Sequence, residues 1–174
     1  LHYLLRNLQV NGWQDQAEVF PVALGSKSSV LPMWGCNTGA SLVPGWASLP
    51  ATYVTQVPVL SLDRIVGDGL HGRRPLVLID VEGAEDAVLA GAQRLLRYTP
   101  RPLWFVEIAT REHQPADCPF NPHFVSTFER FFDLGYRASV IVQNSAELVE
   151  ITADDVQAFA SGAKLSPGQN YVMS

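Results

Sequence analysis

Residues 76–91 read LVLIDVEGAEDAVLAG. Four apolar residues, Leu76, Val77, Leu78 and Ile79, run straight into Asp80, Glu82, Gly83 and Glu85, and a helical pattern starts at once. An unbroken apolar run is the pattern of a strand buried on both faces. Acids where such a strand ends, just ahead of a helix, sit at the carboxyl edge of a sheet, and open α/β folds bind their ligands at that edge.

The same logic extends in both directions along the chain. The spacing predicts a helix over residues 84–98, with Val88, Ala92, Leu95 and Leu96 as its apolar stripe. Glu85 and Asp86 in its first turn, with Arg94 and Arg97 in its last, complement the helix dipole. Pro100 and Pro102 end it. A second apolar strand, residues 103–106, again ends in an acid, Glu107, and a polar loop with His113 follows. Asn121 is a natural N-cap and Pro122 suits a first helical position. Phe124, Phe128, Phe131 and Phe132 share one face of that helix and read as core, with Gly135 as its stop. Residues 138–142 form a third strand, Thr152 and Asp155 a capping box, and residues 170–173 a last strand.

Upstream, Leu1, Leu4, Leu5 and Leu8 mark a helix face closed by Asn11-Gly12. Residues 18–24 read as a strand that Pro21 confines to an edge. Residues 30–34 are a hairpin arm, 35–50 a loop of Gly, Ser, Asn and Pro, 53–61 an extended segment, and 61–66 a short helix. Strands alternating with helices imply an α/β fold: a mainly parallel sheet with helices on both faces, in one domain spanning 1–174.

Composition limits the partners. Of 174 residues, 47% are apolar, enough for a core, and the formal charge is −5. An acidic chain is a poor match for a phosphate backbone, so no nucleic acid is expected. No apolar run approaches the ~18 residues of a membrane span, and no signal-peptide pattern opens the chain. Cys36 and Cys118 lack CxxC or metal-ligand spacing. Thiols rather than a disulfide are expected, as suits the cytoplasm.

The chemistry concentrates in Asp80, Glu82 and Glu107, which converge if the two acid-ending strands are neighbours. Three carboxylates can hold a hard cation, supply a general base whose proton affinity the others raise, or hydrogen-bond a polar ligand. Asp80 is the strongest candidate, because a carboxylate ending a buried strand needs a partner. Glu85 reads as helix capping. There is no P-loop, GxSxG, HExxH or Gly-x-Gly turn after a strand. The residues alone give an acidic ligand edge without specifying the reaction.

At IDVEGAEDAVLAGAQRLL the chain resembles the FkbM family of S-adenosylmethionine-dependent methyltransferases, whose hallmark is a strand ending in Asp-Val-Glu-Gly-Ala-Glu. The likeness continues in order. Asn7 and Asn11 resemble the family's helix after its second strand, and residues 20–25 (FPVALG) its third strand. Gly39-Ala40-Ser41-Leu42 resembles a small-residue loop ahead of Ser61-Leu62-Asp63. Residues 102–108 followed by His113 resemble its Pro…Glu-Ile…His segment, and residues 131–136 its Phe…Gly-Tyr. Two departures stand out. Leu78 occupies a position where members often carry lysine, and the resemblance begins after the family's first two strands. The resemblance thus implies a Rossmann-like methyltransferase sheet that is N-terminally incomplete, with an open edge beside the Asp80 strand and weak cofactor binding by this chain alone.

It also implies S-adenosylmethionine as cofactor and O-methylation of a hydroxyl on a sugar or secondary metabolite. Asp80, Glu107 and His113 would be catalytic and Val22, Ala23 and Leu24 would adjoin the adenine. Glu82 and Ser41 would contact the small-molecule acceptor, which the acidic edge could orient directly or through a metal, and no metal-ligand residue is assigned. Two alternatives remain at this level: a non-catalytic methyltransferase-like binding module, and a metal-dependent hydrolase using the same acids.

Overall fold

A computed structural model describes residues 1–50 and 52–174, the side chain of Asn37 aside. Helix α1 (His2–Val10) leads into the short strand β1 (Ala23–Leu24). Strand β2 (Ser29–Trp34) pairs antiparallel with β3 (Val54–Leu60) rather than with the preceding strand, as the hairpin reading expected, because β3 lies between β1 and β2; α2 (Leu62–Val66) follows. Strand β4 (Leu76–Ile79) is followed by two short helices, α3 (Glu85–Ala90) and α4 (Gln93–Leu96), and then β5 (Leu103–Glu107). The chain closes with α5 (Phe124–Phe132), β6 (Ala138–Ile141), β7 (Leu148–Ile151), α6 (Ala153–Ser161) and β8 (Asn170–Met173).

The α/β class holds, but the sheet is not mainly parallel. Two mixed sheets form, ordered β1-β3-β2 and β4-β5-β8-β6-β7. Among the described residues only the β1/β3 and β4/β5 ladders are parallel, and the other ladders are antiparallel. The cause is local. Residues 142–147, closed by the Val142 N–H to Glu147 carbonyl bond at 2.9 Å, are too few to cross over, so β6 and β7 must pair antiparallel. Strand β8 then enters antiparallel between β5 and β6, and β7, absent from the sequence reading, extends that edge.

Nor are both faces of the larger sheet covered. On one face Ile79, Trp104, Val106, Val140, Tyr171 and Met173 are buried against Val88, Leu89, Phe124, Phe128 and Phe131. Each of those phenylalanines is fully buried, a contribution on the order of 2–3 kcal/mol per ring. On the other face, Leu76 and Leu78 are 71% and 68% exposed. The LVLI run, read as buried twice over, therefore alternates, and β4 lies at an edge of its sheet.

Three smaller corrections have plain reasons. The single helix predicted over residues 84–98 breaks at Gly91, where an added Cβ would overlap the Gly25 carbonyl oxygen. The chains approach closely there, and the Gly91 carbonyl accepts the Asp63 N–H at 3.0 Å. The second piece, α4, is capped from outside: the Asp63 carboxylate takes the N–H groups of Arg94 (2.8 Å) and Leu95 (2.9 Å). Helix α5 starts after His123 rather than at Pro122, because Asn121 is buried and turns the chain, donating to the Ala109 carbonyl and accepting from the His123 N–H. The strand expected over 18–24 shrinks to β1, just past Pro21. The Thr152–Asp155 capping box forms as predicted. Among the described residues, no helix is long and apolar enough to cross a membrane.

Candidate active site

The acidic edge is built on the turn between β4 and α3. Asp80 leaves the strand and is exposed. Glu82 (φ 54°) and Gly83 (φ 93°) then adopt left-handed backbone, which turns the chain sharply enough for α3 to begin at Glu85. Glycine is required at 83 for a second reason: a Cβ there would overlap the indole ring of Trp46.

Glu107 ends β5, parallel to and beside β4. Its carboxyl is pushed above the usual range by partial burial, then by the negative charges of Asp80 and Glu82, while His113 opposes the rise. The four groups singled out from the sequence thus share one electrostatic neighbourhood. Among the described residues, no group of three or more His, Cys, Asp or Glu side chains is arranged to hold a metal ion.

Val22, Ala23 and Leu24, together with Asp80, Val81 and Ala84, line a cavity of about 310 Å³ between the ends of β1 and β4. Met33, Ala40 and Leu42 complete its wall. The sequence reading placed the adenine pocket at these three residues, and the fold sets them beside Asp80. An apolar-walled cavity with one carboxylate at its rim suits a flat heteroaromatic ring bearing hydroxylated substituents.

Ser41 occupies a different place. It is 1% exposed, its hydroxyl donates to the Glu82 carbonyl, and its oxygen accepts the Val43 N–H at 2.9 Å. It therefore ties the loop of residues 35–50 to the turn. The Glu82 carboxylate is likewise engaged, accepting the Trp46 indole N–H at 2.7 Å. The Ala47 N–H in turn donates to the His113 carbonyl at 2.7 Å, and the Trp46 and His113 rings lie 6.1 Å apart.

Glu85 goes beyond the capping role read from sequence. It is 4% exposed, and its carboxylate reaches back to accept the Gly83 N–H at 2.9 Å. Burial raises its pKa to about 7, with backbone hydrogen bonds opposing and the charge of Asp80 adding to the rise. The neighbouring Asp86 is held below its ordinary range despite partial burial by Arg130, whose Nε lies 2.8 Å from it.

Sequence reasoning missed Trp46 and Asp63. Trp46 had one available signal, a large aromatic alone among the small residues of 35–50. Asp63 had none, because its partners lie about thirty residues away.

Comparison with known proteins bears on this arrangement. No curated protein and no solved structure matches the chain. The methyltransferase FkbM domain matches residues 1–138, a span that includes the Asp80 turn, the cavity wall, Glu107 and His113. With most of its length matched, the chain belongs to the FkbM methyltransferase family.

Proposed function

We propose that this domain transfers the methyl group of S-adenosylmethionine to a hydroxyl of a small acceptor, a sugar or secondary metabolite. The observation that carries the reading is the electrostatic neighbourhood shared by Asp80, Glu82, Glu107 and His113, of which Asp80 also lines the cavity walled by Val22, Ala23 and Leu24.

The cavity fits the adenosine part of that cofactor: apolar side chains for the purine faces, and the Asp80 carboxylate for hydroxyl groups. When bound, the cofactor supplies an electrophilic methyl group. The protein's share is to hold the acceptor oxygen in line, keep water out, and receive the hydroxyl proton. Glu107 suits the last task, since burial and two neighbouring carboxylates raise its proton affinity above that of an ordinary carboxylate. Asp80, exposed at the cavity rim, can accept hydrogen bonds from the acceptor or the ribose. His113, beside Glu107, offers a second proton acceptor when its imidazole is neutral. Glu82, with its carboxylate already bonded to Trp46, contributes charge and any free lone pairs.

Asp80→Asn in the full-length protein tests the assignment. Because Asp80 is exposed, the fold should survive, as read by circular dichroism. Formation of S-adenosylhomocysteine with a panel of free monosaccharides and glycosides should fall about a hundredfold, the order lost when a positioning contact goes and the acceptor shifts by about 1 Å. Wild-type turnover in the variant would refute the assignment.

A further inference from the structure

The loop of residues 41–49 crosses the acidic edge as a strap. It is fastened at one end by the Ser41 hydroxyl on the Glu82 carbonyl and at the other by the Ala47 N–H on the His113 carbonyl. Between the two lies Trp46, 3% exposed, with its ring filling the space above Gly83 and its indole N–H on Glu82.

Backbone conformation marks the same spot. Among the described residues, six that are not glycine have positive φ: Ala47, Ser48, His71, Glu82, His113 and Asn144. Four of them, Ala47, Ser48, Glu82 and His113, belong to the strap or to the two residues it fastens. Side-chain-bearing residues hold that conformation only where their surroundings over-determine it, and such positions gather at functional sites.

We propose that Trp46 is a positioning residue of the acidic site: its indole N–H fixes the Glu82 carboxylate, and its ring fixes the Gly83 turn, so that Glu82 stays facing Glu107. The proposal rests on reading this edge as the acceptor site, but its physical content concerns only Trp46, Glu82 and Glu107. A charge-assisted hydrogen bond from a buried donor is directional and strong. Without it, a Glu side chain at a turn is free to swing toward solvent. The groups facing Glu107 are Asp80, Glu82 and His113, so moving Glu82 away removes one of two repulsive charges and leaves Asp80 and His113 in place.

The experiment is a carbon-13 carboxyl NMR titration of Glu107 in the wild type, Trp46→Phe, Glu82→Gln and the double variant. Phenylalanine keeps a ring over Gly83 and removes only the donor. The titration midpoint of Glu107 should shift downward in each single variant, and the double variant should match Glu82→Gln alone. A midpoint unchanged by Trp46→Phe but lowered by Glu82→Gln would reduce Trp46 to packing and overturn the proposal. So would a midpoint unmoved by Glu82→Gln, or a further fall in the double variant.

The wild type supplies a reading that needs no variant. The Nε1–H resonance of Trp46 should resist hydrogen exchange, whereas that of Trp13, 54% exposed, should not. Equal exchange at both positions would overturn the proposal. None of these measurements depends on methyl transfer, so their failure would leave the proposed reaction standing, and an inactive wild type would leave them interpretable.

Discussion

Glu85→Gln tests the least expected feature of the turn. In the folded chain the Glu85 carboxyl is raised from an ordinary value of 4.5 to about 7, chiefly by burial. Between those two pH values the unfolded chain has lost this proton while the folded chain keeps it. The folded state thus binds more protons, and stability must fall as pH rises through the interval. Converted to free energy, the difference between 4.5 and about 7 comes to roughly 3 kcal/mol. Glutamine keeps a carbonyl oxygen for the Gly83 N–H and cannot ionise, so the variant lacks this loss. Urea unfolding of both proteins at half-unit steps from pH 5 to 8 reads it directly. The wild type should lose stability relative to the variant by most of that amount, and the difference should level off above pH 7.5. Every other ionisable group is common to both proteins and cancels in the comparison. A difference constant to within about 0.5 kcal/mol across the range would show that Glu85 is not buried and proton-linked as described, since that is the effect an ordinary surface substitution has.

Two further substitutions probe the fold. Asp63→Ala removes the acceptor for the Arg94 and Leu95 N–H groups; it should cost about 1 kcal/mol in chemical unfolding and raise amide exchange at both residues, and unchanged exchange would show that α4 does not need this cap. Leu78→Lys places a charge on the sheet face that sequence alone reads as buried; with Leu78 68% exposed, the change in unfolding free energy of the 174-residue chain should stay within about 0.5 kcal/mol, whereas a loss above about 2 kcal/mol would mean that this sheet face is covered.

Local signals carried the individual elements well. The Thr152–Asp155 capping box, the phenylalanine face of α5 and the last strand all follow from neighbours a few residues apart, and each formed. Pairing between distant segments was not legible in the same way. Parallel and antiparallel partners present the same alternation to a reader of sequence, so the insertion of β8 between β5 and β6 left no mark. An LVLI run looks alike whether one face or two are covered, and the exposure of Leu76 and Leu78 depends on which elements pack nearby.

The acidic site divides along the same line. The sequence by itself determined that Asp80 and Glu107 end two strands and that the DVEGAE turn has the family's character. These depend on residue type and short spacing. Only the tertiary structure decided that Glu85 is buried with a raised proton affinity, and that Ser41 is spent on holding a loop. It alone brought Trp46 from some forty residues away onto Glu82. Burial and hydrogen-bond partnership are properties of the packed chain, because they depend on which distant segments displace water from a given group.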